Sequence, residues 1–494
     1  MGVGYCSTIL TLTLCLTVPF LPKAAGLNEN EEEPCTPICG KARYRKCNCD
    51  DRLRTINCNN EDLGTADICF APEKDNPDLV VDKLILTKNL IPKVEKLKIF
   101  RGHEDDLRIL DLSENMIRNL EDKTFETLLS LTELDLGNNL ISWISHEAFA
   151  GLYKLTSLNL GDNKITDLTS DPFSSLGKNL IYLYLDRNPL EKLDNRTFAN
   201  LNRLEYLSID NAQLETIPPD LFHGLHNLRT LSLKHNKFLV MPPMHGLVQL
   251  QNLYLSDNQF TEIDQQSFYG LPKLEQIFLT QLTNLWSVDY CAFCGLSHLK
   301  YLDIGYCPNL VYFDQEAFGP ATKRLIKGMD FFSIKNASIT SLDSNLLPWH
   351  NVSRIDVSGN PLHCDCKLKW IYSVRSKLVH FPRCRTPSHL QGLTVSALRA
   401  SDFSCPLPMS RASRIFIASV FLVLIIGSSI FVWYLYCGRP HKARLGQWFK
   451  RNPESTPKYA YRNLALYADT DEVRLVETGG PDKNAEPLPP PTSL

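Results

Sequence analysis

The sequence lacks an excess of charge of either sign. Its 52 lysines and arginines nearly balance 55 aspartates and glutamates, for a net of −3, which excludes a generally basic nucleic-acid binder. It also lacks the composition of a disordered chain, because 44% of its residues are hydrophobic and can build a core. No P-loop, G-x-S-x-G or H-E-x-x-H motif occurs, and aspartates and histidines are scattered without a spacing that would make them converge. No catalytic residue, cofactor or metal site is therefore expected. The most informative local absence is in residues 415 to 437, which contain neither charge nor histidine. At about 1.5 Å per helical residue this run reaches roughly 34 Å, enough to span a bilayer with some tilt.

A second apolar run, residues 5 to 21, is too short to span comfortably and is followed by Ala24, Ala25 and Gly26. Residues 1 to 26 read as a secretory signal peptide. After the span, Arg439, Lys442, Arg444, Lys450 and Arg451 occur with no acid in 439 to 451, against Arg411 and Arg414 before it. That asymmetry predicts a type I single-pass protein of the plasma membrane, with the N-terminus extracellular and residues 438 to 494 cytoplasmic. Roughly 388 residues remain between the two apolar segments, too many for one ordinary compact core.

Those residues repeat. The pattern L-x-x-L-x-L-x-x-N-x-L recurs, for instance at 107 to 117, 131 to 141, 155 to 165, 180 to 190 and 250 to 260, and its second aliphatic falls at eleven positions from Leu110 to Ile355. Successive units are spaced by 22 to 25 residues, with one of 30, and a degenerate twelfth unit precedes them at 84 to 89. Each unit predicts a short strand with inward leucines and a turn whose Asn amide serves backbone groups of the neighbouring coil. A return-arm Phe (125, 149, 173, 198, 222, 268, 293 and 318) would close the core from the convex side. No unit can bury its apolar face alone, so the units should stack into a curved α/β solenoid with a parallel sheet. Where Ala212, Leu282, Cys307 and Ala337 occupy the Asn slot, the ladder should weaken, and the 30-residue unit around Phe318 to Met329 should bulge.

Cysteines cluster at both ends of the repeats: Cys35, Cys39, Cys47, Cys49, Cys58 and Cys69 upstream, Cys364, Cys366, Cys384 and Cys405 downstream. The segment NPLHCDCKLKWIYSV (360 to 374) resembles the C-terminal capping signature of extracellular leucine-rich-repeat proteins, and the upstream C-x-C-x8-C resembles their N-terminal cap. The resemblance covers about residues 35 to 405. It implies a repeat domain at 81 to 362 between cysteine-rich caps at 27 to 80 and 363 to 406, the latter joined by a linker, 407 to 414, to the span. It further implies crossed disulfides, Cys364 with Cys384 and Cys366 with Cys405, and Trp370 buried over the last repeat. The six upstream cysteines exceed the usual four and leave their connectivity open; the preferred set is Cys35 with Cys49, Cys47 with Cys58 and Cys39 with Cys69. Cys291 and Cys294 are expected to pair, leaving Cys307 a buried thiol, with a Cys294 to Cys307 bond the alternative. Zinc is set aside because a secreted chain oxidises such thiols and no His lies at finger spacing. N-glycosylation sequons lie at Asn195, Asn336 and Asn351.

The residues flanking each inward pair should face the concave side of the solenoid. They include Tyr182, Tyr184 and Asp186; Tyr206 and Asp210; Tyr254; Phe278; Tyr301 and Asp303; and Phe331. Aromatics interleaved with carboxylates suit a protein-binding surface, since Tyr offers area, little rotamer entropy and a polar tip. Together with the family resemblance they imply a cell-surface recognition protein with an extracellular or cell-surface protein ligand. The alternative is a matrix-organising or decoy protein whose tail only anchors and traffics it. That tail is too short for a kinase and has no Toll-type signalling domain. Its expected motifs are Tyr461 to Leu464, an endocytic or phosphotyrosine-adaptor signal, and Thr492 to Leu494, a terminus suited to a PDZ scaffold.

Overall fold

The computed structural model describes residues 47–50, 52–64, 80–94, 105–405 and 411–437. The signal-peptide segment, Cys35, Cys39 and Cys69, and the tail residues Tyr461, Leu464, Thr492 and Leu494 lie outside them. The chain divides into two units, residues 1–405 and 406–494.

The first unit is built on one 14-stranded sheet. Its strands are β1 (Asn48–Asp50), β2 (Thr55–Asn57), β3 (Lys83–Ile85), β4 (Ile109–Asp111), β5 (Glu133–Asp135), β6 (Ser157–Asn159) and β7 (Tyr182–Tyr184), then β8 (Tyr206–Ser208), β9 (Thr230–Ser232), β10 (Asn252–Tyr254), β11 (Gln276–Phe278), β12 (Tyr301–Asp303), β13 (Met329–Ser333) and β14 (Val352–Asp356). β1 and β2 form an antiparallel hairpin, and every later pair is parallel. β3 to β14 are the twelve expected repeats. Their central residues align in a single column, Leu84 to Leu110 to Leu134 at one end and Leu302 to Phe332 to Ile355 at the other. These side chains are essentially inaccessible to solvent, as inward-facing positions of a strand must be when the other face is open.

Two further columns complete each rung. The asparagines line the turns: the Asn139 amide Nδ2 donates to Leu112 O at 3.0 Å and Leu136 O at 3.1 Å, and its Oδ1 accepts from Ile117 N at 3.1 Å. The residue before the slot adopts a left-handed conformation, with φ between 52° and 62° from Asn211 to Gln281 and at every rung between. Behind the sheet the phenylalanines stack, Phe125 on Phe149, Phe149 on Phe173 and Phe173 on Phe198, with ring centroids 6.1–6.2 Å apart. The 22-residue unit has no such Phe and buries Met244 instead.

The substituted slots show how the ladder adapts. Opposite Ala212, the Leu190 N–H donates to the Ala212 carbonyl at 3.2 Å in place of the missing side-chain oxygen. The Cys307 thiol donates to Leu279 O at 3.4 Å and to Gly305 O at 3.6 Å, substituting for two of the amide's bonds; burial pushes its pKa up to about 12. The parallel sheet passes through all four substituted rungs without a break, so the weakening is confined to side-chain bonds. The 30-residue unit carries its extra length at 320 to 328, ahead of β13, where no strand forms.

Disulfides seal the ends. Cys364 joins Cys384 and Cys366 joins Cys405, as the resemblance implies, and Cys47 joins Cys58; Cys49 is also disulfide-bonded. Cys291 pairs with Cys294, leaving Cys307 a free buried thiol. One expectation needs correction. Trp370 is only half-buried, while Trp349 beneath it is buried. The two rings stack at 3.9 Å, and the Trp370 indole N–H reaches Leu342 O at 2.9 Å.

In the second unit the helix Arg411–Cys437 contains an apolar stretch, Phe416–Tyr436, with a mean hydropathy of 2.5 and no residue buried within the structure. It is long and apolar enough to cross a membrane.

Candidate ligand-binding face

Parallel, in-register pairing turns the outward residues of successive strands into columns. Tyr182 lies beside Tyr206, and Tyr184 beside Ser208. Tyr254 lies beside Phe278 in the second column, while Tyr301 lies beside Phe331 in the first. Rungs about 4.8 Å apart bring such rings into contact.

The aromatics form two groups. In the first, the Tyr206 ring lies 6.3 Å from Tyr182 and 5.1 Å from Tyr184. In the second, Tyr254 stacks on Phe278 at 4.6 Å, Phe278 meets Tyr301 at 4.8 Å, and Tyr301 stacks on Phe331 at 4.6 Å. The second group therefore crosses from one column to the other between Phe278 and Tyr301. Cations cover both of its ends: Lys234 Nζ lies 5.6 Å from the Tyr254 ring centre and the Arg354 guanidinium 5.3 Å from Phe331, a contact the ring quadrupoles favour. Between the groups, the strand β9 contributes Thr230 and Ser232 and no aromatic ring.

Facing the open side does not leave these aromatics and carboxylates free in solvent. Of the seven rings only Tyr182, at 43%, is exposed; the others are half-buried. The carboxylates are engaged with the next rung. Asp186 accepts from Ser208 Oγ at 2.5 Å and from Asp210 N at 2.8 Å, and Asp210 accepts from Ser232 Oγ at 2.6 Å and Lys234 N at 2.7 Å. Asp303 accepts from its own turn at Gly305 N, 3.0 Å away. Burial raises the pKa of Asp186 and of Asp303 against the opposing pull of these bonds, because a desolvated carboxylate favours its proton. Burial likewise raises Tyr184, Tyr206 and Tyr301. The aspartates thus tie adjacent rungs together, and the rings and cations are the larger side chains on the outer side of this face.

Lys234 and Arg354 were missed as members of this face. The signal was present: Lys234 occupies the position of Asp186 and Asp210 in its own repeat, and Arg354 precedes the inward Ile355. The three sequon asparagines are exposed. Asn336 sits in the left-handed column with φ 53°, and Asn351 Nδ2 donates to Lys327 O at 2.8 Å.

A family model for leucine-rich repeats matches residues 81–141, 105–165, 178–238 and 248–310, and one for the leucine-rich-repeat C-terminal domain matches 381–406. The chain belongs to the leucine-rich-repeat family. Among solved structures it resembles a chain of the mouse RP105/MD-1 complex, at 23% identity and a TM-score of 0.52, over 70% of this chain and 54% of that one. A chain of the Drosophila Toll–Spatzle complex matches at 20% identity and 0.44, over 67% and 56%. One from an octameric complex of Latrophilin 3, Unc5D and FLRT2 matches at 19% and 0.49, over 73% and 99%. This leucine-rich-repeat chain spans about half the length of the first two, and at such identities the likeness is one of fold.

Proposed function

We propose that this leucine-rich-repeat protein is a cell-surface recognition protein, an adhesion molecule or receptor, which binds a protein ligand on its concave face. The observation that carries the reading is the pair of aromatic groups on one sheet face, ended by Lys234 and Arg354. Rings already stacked in place lose little rotamer freedom on binding, which is what makes aromatic anchors efficient. The mouse structure that it resembles is itself a complex, of RP105 with MD-1. The test begins with a screen of cell-surface and secreted ectodomains against the full chain. Tyr182→Ala with Tyr206→Ala, or Tyr254→Ala with Tyr301→Ala, should then weaken the partner found by about thirtyfold, roughly 2 kcal/mol, without lowering surface display. Lys154→Ala, on an exposed side chain bonded to Ser130, should be neutral. Equal affinity of wild type and both double variants would remove the concave face as the site.

The same reading places the repeats outside the cell and the segment after Cys437 inside. It rests on the basic residues 439 to 451 and on the apolar helix. Antibody against the tail should stain cells only after permeabilisation, and antibody against the repeats should stain them intact; the opposite pattern rejects this orientation. The tail motifs at Tyr461 and Thr492 to Leu494 would then face cytosolic adaptors and scaffolds.

A further inference from the structure

A second column of side chains runs along the flank that follows the asparagine turns, away from the concave face. Backbone bonds define it: Ser142 N to Arg118 O, Glu191 N to Thr166 O, Trp286 N to Thr261 O and Val311 N to Trp286 O, at 2.8 to 3.1 Å. The first rung places Pro92 in this column, and the next five place Arg118, Ser142, Thr166, Glu191 and Glu215, all polar. From the seventh rung they become Leu239, Thr261, Trp286 and Val311. Leu239 is 54% exposed, Trp286 50% and Val311 57%, and the neighbouring Val240 and Tyr312 are exposed as well. The flank thus carries one exposed aromatic, Trp143, in its N-terminal half and a larger apolar strip, interrupted at Thr261 and Glu262, in the other. The core does not require the strip, because the inward partners Ile263 and Val288 are fully buried beside it.

The strip has a charged border of one sign. Strands Glu262–Ile263, Ser287–Val288 and Tyr312–Phe313 pair in parallel, so the residues that follow them, Asp264, Asp289 and Asp314, form a column of carboxylates one rung apart. Residues 238 to 322 contain eight aspartates and glutamates and two lysines. Both lysines are engaged, Lys273 with Gln249 and Lys300 with Glu275. At the strip's N-terminal end, a cavity of about 300 Å³ opens between Leu239–His245 and Thr261–Tyr269, with Glu262 and Asp264 in its wall.

We propose that this flank is a second protein-docking surface, separate from the concave face, whose partner is a polypeptide segment with large apolar side chains bordered by lysine or arginine. Exposed apolar side chains on adjacent rungs, as at Trp286, Val311 and Tyr312, rimmed by polar groups mark an interaction site, and charge of one sign at the rim selects the opposite sign. An anionic lipid surface is disfavoured by the same carboxylates.

The test uses the full chain in nanodiscs and random-sequence peptides displayed on phage, counter-selected against a Trp286→Glu, Val311→Glu variant. Both side chains are exposed, so the variant should melt with wild type. The peptides retained should combine large apolar residues with an excess of lysine and arginine. Their affinity should fall at least about tenfold in that variant and fall with salt. It should also fall in Asp289→Asn with Asp314→Asn, which keeps the shape and removes the charge. Trp143→Glu, at an exposed tryptophan on the N-terminal half of the flank, should leave it unchanged, as should Tyr182→Ala with Tyr206→Ala on the concave face. Strip-dependent peptides that are acidic or uncharged, or the absence of any, would overturn the proposal. Self-association of the chain, or capture of anionic vesicles, that is lost in Trp286→Glu, Val311→Glu would also overturn it, assigning the strip to a second copy or to lipid.

Discussion

Replacing Cys366 with serine is expected to destabilise the C-terminal end by about 2–5 kcal/mol and to hold the protein back in the secretory pathway. The bond to Cys405 spans 39 residues of sequence with its Cα atoms 5.1 Å apart, and closing a long loop removes much freedom from the unfolded chain. It also keeps Phe403 against the cap, near Tyr372 at 6.5 Å between ring centres, with Val395 and Leu398 buried alongside. Cys364–Cys384 remains in the variant, so the loss should stay local. Surface level by flow cytometry and urea denaturation of the solubilised chain would measure it. Wild-type values in both would mean that packing alone seals this end.

The second large effect is expected from Asn163→Ala. The side chain is 2% exposed; its Nδ2 donates to Leu136 O and Leu160 O at 3.0 Å and Gly161 O at 3.1 Å, and its Oδ1 accepts from Ile141 N at 2.9 Å. Alanine leaves buried groups on two adjacent rungs unpaired, at about 1–3 kcal/mol each. The Ala212 rung shows that a backbone carbonyl can recover one such bond, so the net cost should be nearer 2–4 kcal/mol than the full sum. Cys307→Ala, which removes only two longer thiol bonds, should cost clearly less. Denaturation midpoints would rank the pair, and hydrogen exchange at the Ile141 amide should rise only in Asn163→Ala. Equal destabilisation by the two substitutions would show that the slot needs volume and not the amide.

Much of the candidate concave face was legible as position and little of it as contact. Period-two alternation around Leu183 or Leu207 puts Tyr182, Tyr184 and Tyr206 on the open face whatever the rest of the chain does. Whether those rings meet solvent or one another depends on neighbours some 24 residues away, a relation set by rung register and ring orientation. Asp186 was legible as an outward residue, yet its tie to Ser208 and Asp210 exists only once two rungs are stacked.

The sequence by itself determined the twelve rungs, the inward column from Leu84 to Ile355, the Asn ladder with its four substitutions, the Phe stack, and, through the family resemblance, the crossed bonds of the C-terminal cap. These follow from a repeat in which each unit can bury its apolar face only against its neighbours, so translation along one axis fixes them all. Only the tertiary structure decided that the second aromatic group crosses columns at Phe278, that Trp349 rather than Trp370 is buried at the cap, and that Leu239, Trp286 and Val311 adjoin a column of aspartates. Each of these depends on side chains from different repeats held about 4.8 Å apart by parallel pairing, where turn length and ring orientation choose the contact.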